Sequence, residues 1–509
     1  MLEILPDALA LAFSPTVILF ALVGLVLGVT VGAIPGLSGD MAIAVLLPFV
    51  FAMEPAAALG LLVGVYKGSM FGGSISAITF GVPGTAGAVA TAIDGYQATK
   101  QGKPNRALHT ALYASIIGDT TSDLVLIFLA VPLAAVALSF GPVEFFALYV
   151  ISLLLISALT MGKVAQGVAA AALGVLIAMI GRDPITGALR LTFGIPALSG
   201  GIGLIPLLVG VFAVSEILLQ IARTWQHQAA RVAERLEARL ARTGYDPKTD
   251  RLDWASFRST WRSIAVGTGA GTFIGALPGA GASLAAFVAY GLAQRVSRRP
   301  EQFGKGSLEG VAAAESGNSA TAGATFIPLF AFGIPGSATA ALFGAALIMQ
   351  GITPGPTMLQ DNMAIIYALF AILIYANLMN LGVSKILLPV YSRLAMIEPR
   401  YVLPVVLGLA ILGTYAASNS LNDVWMLFAA GMLGVVLRSL DVPLGPLVLG
   451  FIVGPGLERS LRQALMLGRN DVAHLVSSPL AIGLYLGGIV LLAVFWWSFR
   501  QKNTAGSGG

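Results

Sequence analysis

The chain is 509 residues long, 57% hydrophobic and only 10% charged, where a soluble domain carries about 25% charged residues. That balance excludes an ordinary soluble protein, and the absence of cysteine excludes disulfides and thiolate metal sites. The net charge of +5 sits between apolar runs, so it reads as membrane topology, and no nucleic-acid partner is expected.

Apolar runs of roughly 17–25 residues, the length that spans a bilayer as helix, recur throughout; Leu124–Ala137 with its flanks and Leu480–Phe499 are two of them. Such runs do not alternate as barrel strands would, and about ten to twelve helical segments are expected. The first stretch is flanked by Glu3 and Asp7 without Lys or Arg, so it is not read as a cleavable signal. It ends at Gly32-Ala33-Ile34-Pro35-Gly36, and a second interruption follows at Phe80-Gly81-Val82-Pro83-Gly84-Thr85. Residues 223–262 then carry nine Lys/Arg against five Asp/Glu. Within them Trp225, Ala229, Val232, Leu236 and Leu240 recur at helical spacing, which fits either an amphipathic helix on the cytoplasmic surface or a solvated linker helix.

Beyond this linker the pattern returns. Gly275-Ala276-Leu277-Pro278-Gly279 answers the first interruption and Phe332-Gly333-Ile334-Pro335-Gly336-Ser337 the second, at similar spacing. Charge gives the relative orientation. Between its two interruptions the first half carries only Lys67, whereas the second carries Arg295, Arg298, Arg299 and Lys305. After the second interruption the pattern swaps: Lys100, Lys103 and Arg106 in the first half answer none from Ala346 to Met363. Since Lys and Arg mark the cytoplasmic side, equivalent loops lie on opposite sides. The expected fold is an all-α polytopic membrane protein of two inverted-topology repeats, with re-entrant hairpins and Pro-Gly-broken transmembrane helices, working as an elevator-like secondary transporter. Its units are residues 1–222, a cytoplasmic linker 223–262, residues 263–500 and a disordered tail 501–509. Residues 101–105 and 298–302 are expected in the cytoplasm and the Pro/Gly-rich stretch 351–361 in the periplasm, where it could serve docking or simply turn between helices.

The arms beside Pro278-Gly279 are roughly fifteen residues, or about 23 Å of helix, short of a ~30 Å hydrocarbon core. A re-entrant tip fits this length; two short full spans are the alternative. The second interruption, Pro335-Gly336, reads as an unwound point in one broken helix. A half-helix N-terminus offers free N–H groups to a carboxylate, and unwound carbonyls suit a cation such as Na⁺. Small polar residues cluster at these points: Ser38, Ser74, Ser76, Thr79, Thr85, Thr91, Ser283, Asn318, Ser319, Thr321, Ser337 and Thr339. Each could equally serve close helix packing. Asp119 and Asp123 share one helical face and read either as an ion or proton site or as a helix end at the interface. The three histidines are scattered and no Walker A sequence is present, so no catalytic or ATP site competes.

At these motifs the chain resembles the large membrane subunit of tripartite tricarboxylate transporters, the TctA family. The resemblance covers nearly all of the chain. It rests on Ile34-Pro35-Gly36-Leu37; on Tyr66 through Tyr96 with Phe71-Gly72-Gly73-Ser74, Val82-Pro83-Gly84, Ala90-Thr91 and Asp94-Gly95-Tyr96; on Leu277 through Ala282; on Phe303-Gly304-Lys305-Gly306, Glu309-Gly310-Val311 and Glu315-Ser316; and on Gly333 through Ser337 with Gly351 and Pro354-Gly355-Pro356. Three positions depart from the family pattern: Gly317-Asn318-Ser319 stands where a small residue and two asparagines are usual, Asp40 replaces a small or apolar residue, and Asp119 replaces glycine. The resemblance implies a multi-pass carrier in a bacterial inner membrane. A periplasmic solute-binding protein would feed it, a small four-helix membrane subunit and membrane lipid would surround it, and an ion gradient of Na⁺ or H⁺ would drive uptake of di- or tricarboxylates. No cofactor and no enzymatic activity are expected. The candidate substrate-binding residues are Pro35, Gly36, Leu37, Ser38, Ser74, Pro83, Gly84, Thr85, Pro278, Gly279, Ala280, Gly281, Asn318, Ser319, Pro335, Gly336 and Ser337. Asp40, Asp119, Asp123 and Glu315 are the candidate ion-coupling acids. A non-transporting scaffold or receptor component of a solute-sensing complex, whose breaks serve packing alone, is the alternative.

Overall fold

The protein is described by a computed structural model covering residues 4–158, 163–183, 185–223, 250–394 and 399–505. Seven helices are long and apolar enough to cross a membrane: Pro15–Ala33, Pro55–Phe80, Pro104–Ala137, Leu204–Ile221, Met363–Tyr391, Tyr401–Ser418 and Leu421–Ser439. Shorter apolar helices accompany them, among them Gly39–Val50, Pro142–Ala158, Val164–Ala178 and Ala338–Met349. The chain is therefore a multi-pass, all-α membrane protein; among the described residues the strands are limited to one small hairpin, Gly181–Arg182 with Leu189–Arg190. The helix expected from Trp225 to Leu240 lies outside the described residues. Where the linker is described, Asp253 caps the short helix Trp254–Ser259 by accepting from the Ser256 N–H, and the next helix begins at Trp261. The last helix is Pro479–Ala505.

Proline sets many of the helix starts. Pro15, Pro55, Pro104, Pro142, Pro399 and Pro479 each occupy the first helical position, where the missing N–H would have had no partner in any case. The interruptions have a different chemistry. Gly81 and Gly333 end their helices at φ 72° and 73°, a left-handed turn that glycine adopts without a Cβ penalty. Pro35-Gly36 separates Pro15–Ala33 from Gly39–Val50, and Pro278-Gly279 separates Trp261–Gly275 from Gly281–Val296. The two arms at Pro278 are 15 and 16 residues long. After each Pro-Gly point the chain runs through a long helix (Pro55–Phe80, or Leu308–Phe332 in three closely spaced pieces), a left-handed glycine, a twelve-residue helix (Val89–Lys100 or Ala338–Met349) and a helix of more than thirty residues (Pro104–Ala137 or Met363–Leu394).

Glycine seams hold these elements together. Gly24, Gly28 and Gly32 lie against Leu61, Val65 and Ser69, while Gly64, Gly68 and Gly72 lie against Ala21, Leu25 and Val29. A Cβ at any of these glycines would overlap a backbone carbonyl of the opposing helix. In the second half Gly267, Gly271 and Gly275 press against Ala313, Gly317 and Thr321. Lipid tails are as apolar as leucine, so association inside a membrane relies on such backbone-close van der Waals packing by small residues.

Polar contacts sort the helix ends into two groups. In one, Lys163 pairs with Asp441 at 3.2 Å, Arg106 with Asp250 at 3.7 Å, and the Gln101 amide donates to the Lys305 carbonyl at 2.6 Å. In the other, the Gln350 amide donates to the Val50 carbonyl at 2.6 Å, and Asp183 accepts from Arg462 at 2.7 Å. Backbone N–H groups of Thr186 and Ile185 also point at Asp183 and hold its carboxyl below the usual carboxylate range. The helix pair joined at Pro35-Gly36 thus ends beside the end of Ala338–Met349. The pair joined at Pro278-Gly279 ends beside the end of Val89–Lys100.

Lys67 requires a correction. Counted from sequence as a connector charge, it lies inside Pro55–Phe80 and is fully buried. Its ammonium pairs with Asp119 and, at 2.7 Å, with Asp123; with partners available on the neighbouring helix it does not need to reach a loop. The connector of the first half therefore carries no Lys or Arg.

Because Gly28 sits directly on the Val65 backbone, Gly28→Val is expected to force the two helices apart and cost about 3 kcal/mol or more. Gly291→Ala, where nothing lies within 4 Å of the added methyl, should be nearly neutral. Thermal unfolding of the two detergent-solubilised variants checks this; equal midpoints would mean that the seam does not govern stability.

Candidate functional site

The four interruptions form a closed ring of contacts. Gly84 packs on the Gly32 carbonyl so closely that a Cβ there would overlap it, which joins the second interruption of the first half to the start of its first. Gly87, one turn on, lies against the Asn318 amide and has Ala282 3.2 Å from where its Cβ would be. The Gly279 N–H donates to the Gly336 carbonyl at 2.8 Å. The Thr339 hydroxyl donates to Asp40 and returns the ring to the first interruption. The sequence-predicted stretches Pro35–Ser38, Pro83–Thr85, Pro278–Gly281 and Pro335–Ser337 are thus brought together through backbone and short side chains.

Each interruption is followed by a helix start, at Gly39, Val89, Gly281 and Ala338. The ring therefore collects four positive helix ends. They are not equivalent. The Ser38 and Ser337 hydroxyls accept from the Met41 and Ala340 N–H groups and satisfy one donor each. Asp40 sits in the first turn of Gly39–Val50 and offsets part of that helix's positive end, so the other three contribute more attraction for an anion. No lysine or arginine occurs in residues 32–41, 80–89, 275–283 or 332–339, which leaves dipoles and hydroxyls as the sources of that attraction.

Beneath the ring lies Glu315, fully buried. It accepts from the Ser74 hydroxyl, from Thr91 at 3.0 Å and from the Asn318 amide at 3.4 Å, and so ties the helix Leu308–Ser319 to two elements of the first half. Asn318 Oδ1, Thr85 Oγ1 and Thr325 Oγ1 are buried without a hydrogen-bond partner. Thr325 lines the Gly336 turn, and Asn318 lines the turn at Gly87. Orphaned oxygens are uncommon in protein interiors and mark places where a ligand, ion or water completes the set. Ser319 is differently employed: its hydroxyl pairs with Ser115 at 2.6 Å. Leu37 is buried in the apolar packing.

The acid cluster forms a second centre. Asp119, Asp123 and Lys67 make one buried network, which Asn377 extends by donating to Asp123 at 2.7 Å. Asn380 donates to the Lys67 carbonyl and accepts from Ser384. One ammonium faces two carboxyl groups, so the buried cluster either keeps a proton on one of them or carries a surplus negative charge that needs compensation. The helix carrying Asp119 and Asp123 also reaches the second half, where Ser122 accepts from the Gly323 N–H at 3.2 Å. Among the described residues no group of three or more His, Cys, Asp or Glu side chains is placed to hold a metal ion.

Reading the sequence missed Lys67, Asn377, Asn380 and Gln220. A lysine within an apolar run long enough to span is itself a signal, and it was readable. Asn377 and Asn380 are likewise polar positions within the apolar run Met363–Tyr391 and were readable as such; Gln220, whose amide donates to the Gly36 carbonyl, lies near the basic end of its helix and carries no such signal. Asp94 is a further buried acid: it accepts from Gly306 and Ser307 N–H and from the Tyr290 hydroxyl, each at 2.8 Å, and staples the halves together.

Comparison with known proteins gives the family. The profile of the Tripartite tricarboxylate transporter TctA family matches residues 18–449. A protein of Agrobacterium vitis described as "Uncharacterized 52.8 kDa protein in TAR-I ttuC' 3'region" is 36% identical over 483 residues, 95% of this chain and 94% of that relative. A second from the same organism, "Uncharacterized protein in TAR-II ttuC' 3'region", is 36% identical over 234 residues, 46% of this chain and 97% of that relative. No solved structure matches. The chain belongs to the TctA family, the membrane subunits of tripartite tricarboxylate transporters.

Proposed function

We propose that this chain is the carrier subunit of a binding-protein-dependent, ion-gradient-driven secondary transporter for tri- or dicarboxylates in a bacterial inner membrane. One observation carries the reading: four helix N-termini and three unpartnered buried oxygens converge at one ring of broken helices. The N-termini suit the carboxylates of a substrate, and orphaned amide and hydroxyl oxygens suit a hard cation such as Na⁺. Unpartnered oxygens also occur elsewhere, at Thr268, Thr272 and Thr414; what favours a carrier over a scaffold is that those at Thr85, Asn318 and Thr325 adjoin the helix starts of the ring. The Lys67–Asp119–Asp123 cluster, with its surplus carboxylate, is the place for a coupling proton or cation. A solute-binding protein would deliver substrate at the periplasmic face, where residues 351–361 lie in this reading, and a small four-helix subunit would complete the complex.

The two halves are read as inverted repeats that rock around the ring in an elevator-like movement. What supports this is the pairing of helix ends. One broken-helix pair ends with Gln350 and Val50, the other with Gln101 and Lys305.

Proteoliposomes loaded with this chain and its small subunit should take up labelled citrate or a dicarboxylate only with the binding protein and an imposed Na⁺ or H⁺ gradient. Binding without gradient-dependent uptake would leave the scaffold reading standing instead. Asn318→Ala removes the unpartnered Oδ1 and also the 3.4 Å amide bond to Glu315, so its thermal unfolding is compared with the wild type first, and transport should suffer more than folding. It should weaken apparent substrate or ion affinity about tenfold or more, the cost of a lost bond to a charged group; unaltered uptake kinetics would remove Asn318 from the site. Because the chain lacks cysteine, single cysteines at Arg298 and Gly351 can be labelled by an impermeant maleimide. They should react from opposite faces of oriented vesicles, and labelling from one face would refute the inverted arrangement.

A further inference from the structure

A cavity of about 630 Å³ opens away from the ring, between the loop after Val89–Lys100, the end of the linker and the turn after Gly281–Val296. Lys103, Arg106, Arg258, Arg262, Arg298 and Arg299 line it against one acid, Glu309. Glu309 is already committed, accepting from Ser297 at 2.7 Å and from Ser263 at 3.4 Å. Arg106 pairs with Asp250. The other five cations form no ion pair among the described residues. The tendency of cytoplasmic loops to be basic explains which side these residues occupy. It does not explain why cations from three distant segments converge on one cavity, where their mutual repulsion costs free energy until an anion enters.

We propose that this cavity is a binding site for a phosphate-bearing anion. Four chemical features point to that class. The volume is far greater than a simple ion needs. Arginine forks match phosphate oxygens two at a time. The Ser256 and Ser307 hydroxyls line the same wall, while Ser259, Ser263 and Ser297 already donate to the Ser256 carbonyl and to Glu309. Finally, Trp254 and Trp261, on the same linker end as Arg258 and Arg262, are 73% and 57% exposed, as aromatic side chains are at the depth of lipid headgroups. The phosphate can therefore come from an anionic phospholipid or from solution. Once bound, it ties the linker end to both halves, because each of the three contributes cations.

The inference rests on binding and not on transport, so it is tested without uptake. The purified full chain is followed by thermal unfolding in two arms: in detergent with sodium pyrophosphate at constant ionic strength, and in phosphatidylcholine nanodiscs with or without phosphatidylglycerol. The wild type and Arg459→Gln, a change away from the cavity, are expected to be stabilised in at least one arm. Arg258→Gln combined with Arg298→Gln should weaken the response at least about tenfold in ligand concentration. If that pair fails to fold, Lys103→Gln alone is measured, with a smaller loss in the same direction. Stabilisation by pyrophosphate identifies a soluble phosphate ligand; stabilisation by phosphatidylglycerol alone identifies a lipid headgroup. No stabilisation in either arm, an undiminished response in the folded variants, or an equal response to citrate would overturn the proposal.

Discussion

A helix that breaks inside a membrane exposes N–H and C=O groups that lipid cannot satisfy, at a cost of several kcal/mol each. Such a break survives only where protein surrounds it, and this requirement organises the molecule. Each interruption is packed on another: Gly84 on Gly32, Gly87 on Ala282, and Gly279 on Gly336 through a backbone hydrogen bond. The contacts run through backbone and short side chains, so they need glycine at the contact points and closely packed helices leading to them. The seams Gly24-Gly28-Gly32 against Gly64-Gly68-Gly72, and Gly267-Gly271-Gly275 against Ala313 and Gly317, provide that approach. Part of the high glycine content, 61 in 509 residues, follows from helices that nearly touch, and part from turns at positive φ such as Gly81 and Gly333.

The same closeness governs the buried charges. Glu315 and the Lys67–Asp119–Asp123 cluster sit where water is excluded, and each is held by partners on other helices: Ser74 and Thr91 for Glu315, and Asn377 for Asp123. Charges so placed are costly and persist only when such partners compensate them. Both clusters bridge elements of different halves or of different helices within one half, so occupancy at either one bears on how those elements pack. Asp94 has a different part. Its three donors satisfy it completely and fix the Gly306–Ser307 turn to the first half.

By itself the sequence determined the membrane class, the all-α architecture, the positions of the four interruptions and the family. Each of these is written in local pattern: apolar run length, Pro-Gly pairs at matched spacing, and motifs such as Asp94-Gly95-Tyr96 that need no knowledge of contacts. It also singled out Asp119, Asp123, Glu315 and Asn318 as polar residues in apolar surroundings. Only the tertiary structure decided which of them meet. That Asn318 Oδ1 faces Gly87, that Ser319 is spent on Ser115 and that Lys67 neutralises an aspartate fifty-two positions away depend on helix rotation and depth. Those are set by the glycine seams and by the closure of the ring, and a hydropathy pattern with nearly uniform apolar faces contains neither. Charge counting mistook Lys67 for a loop residue for the same reason: a charge inside a membrane helix is tolerated only when its partners are supplied from elsewhere in the fold.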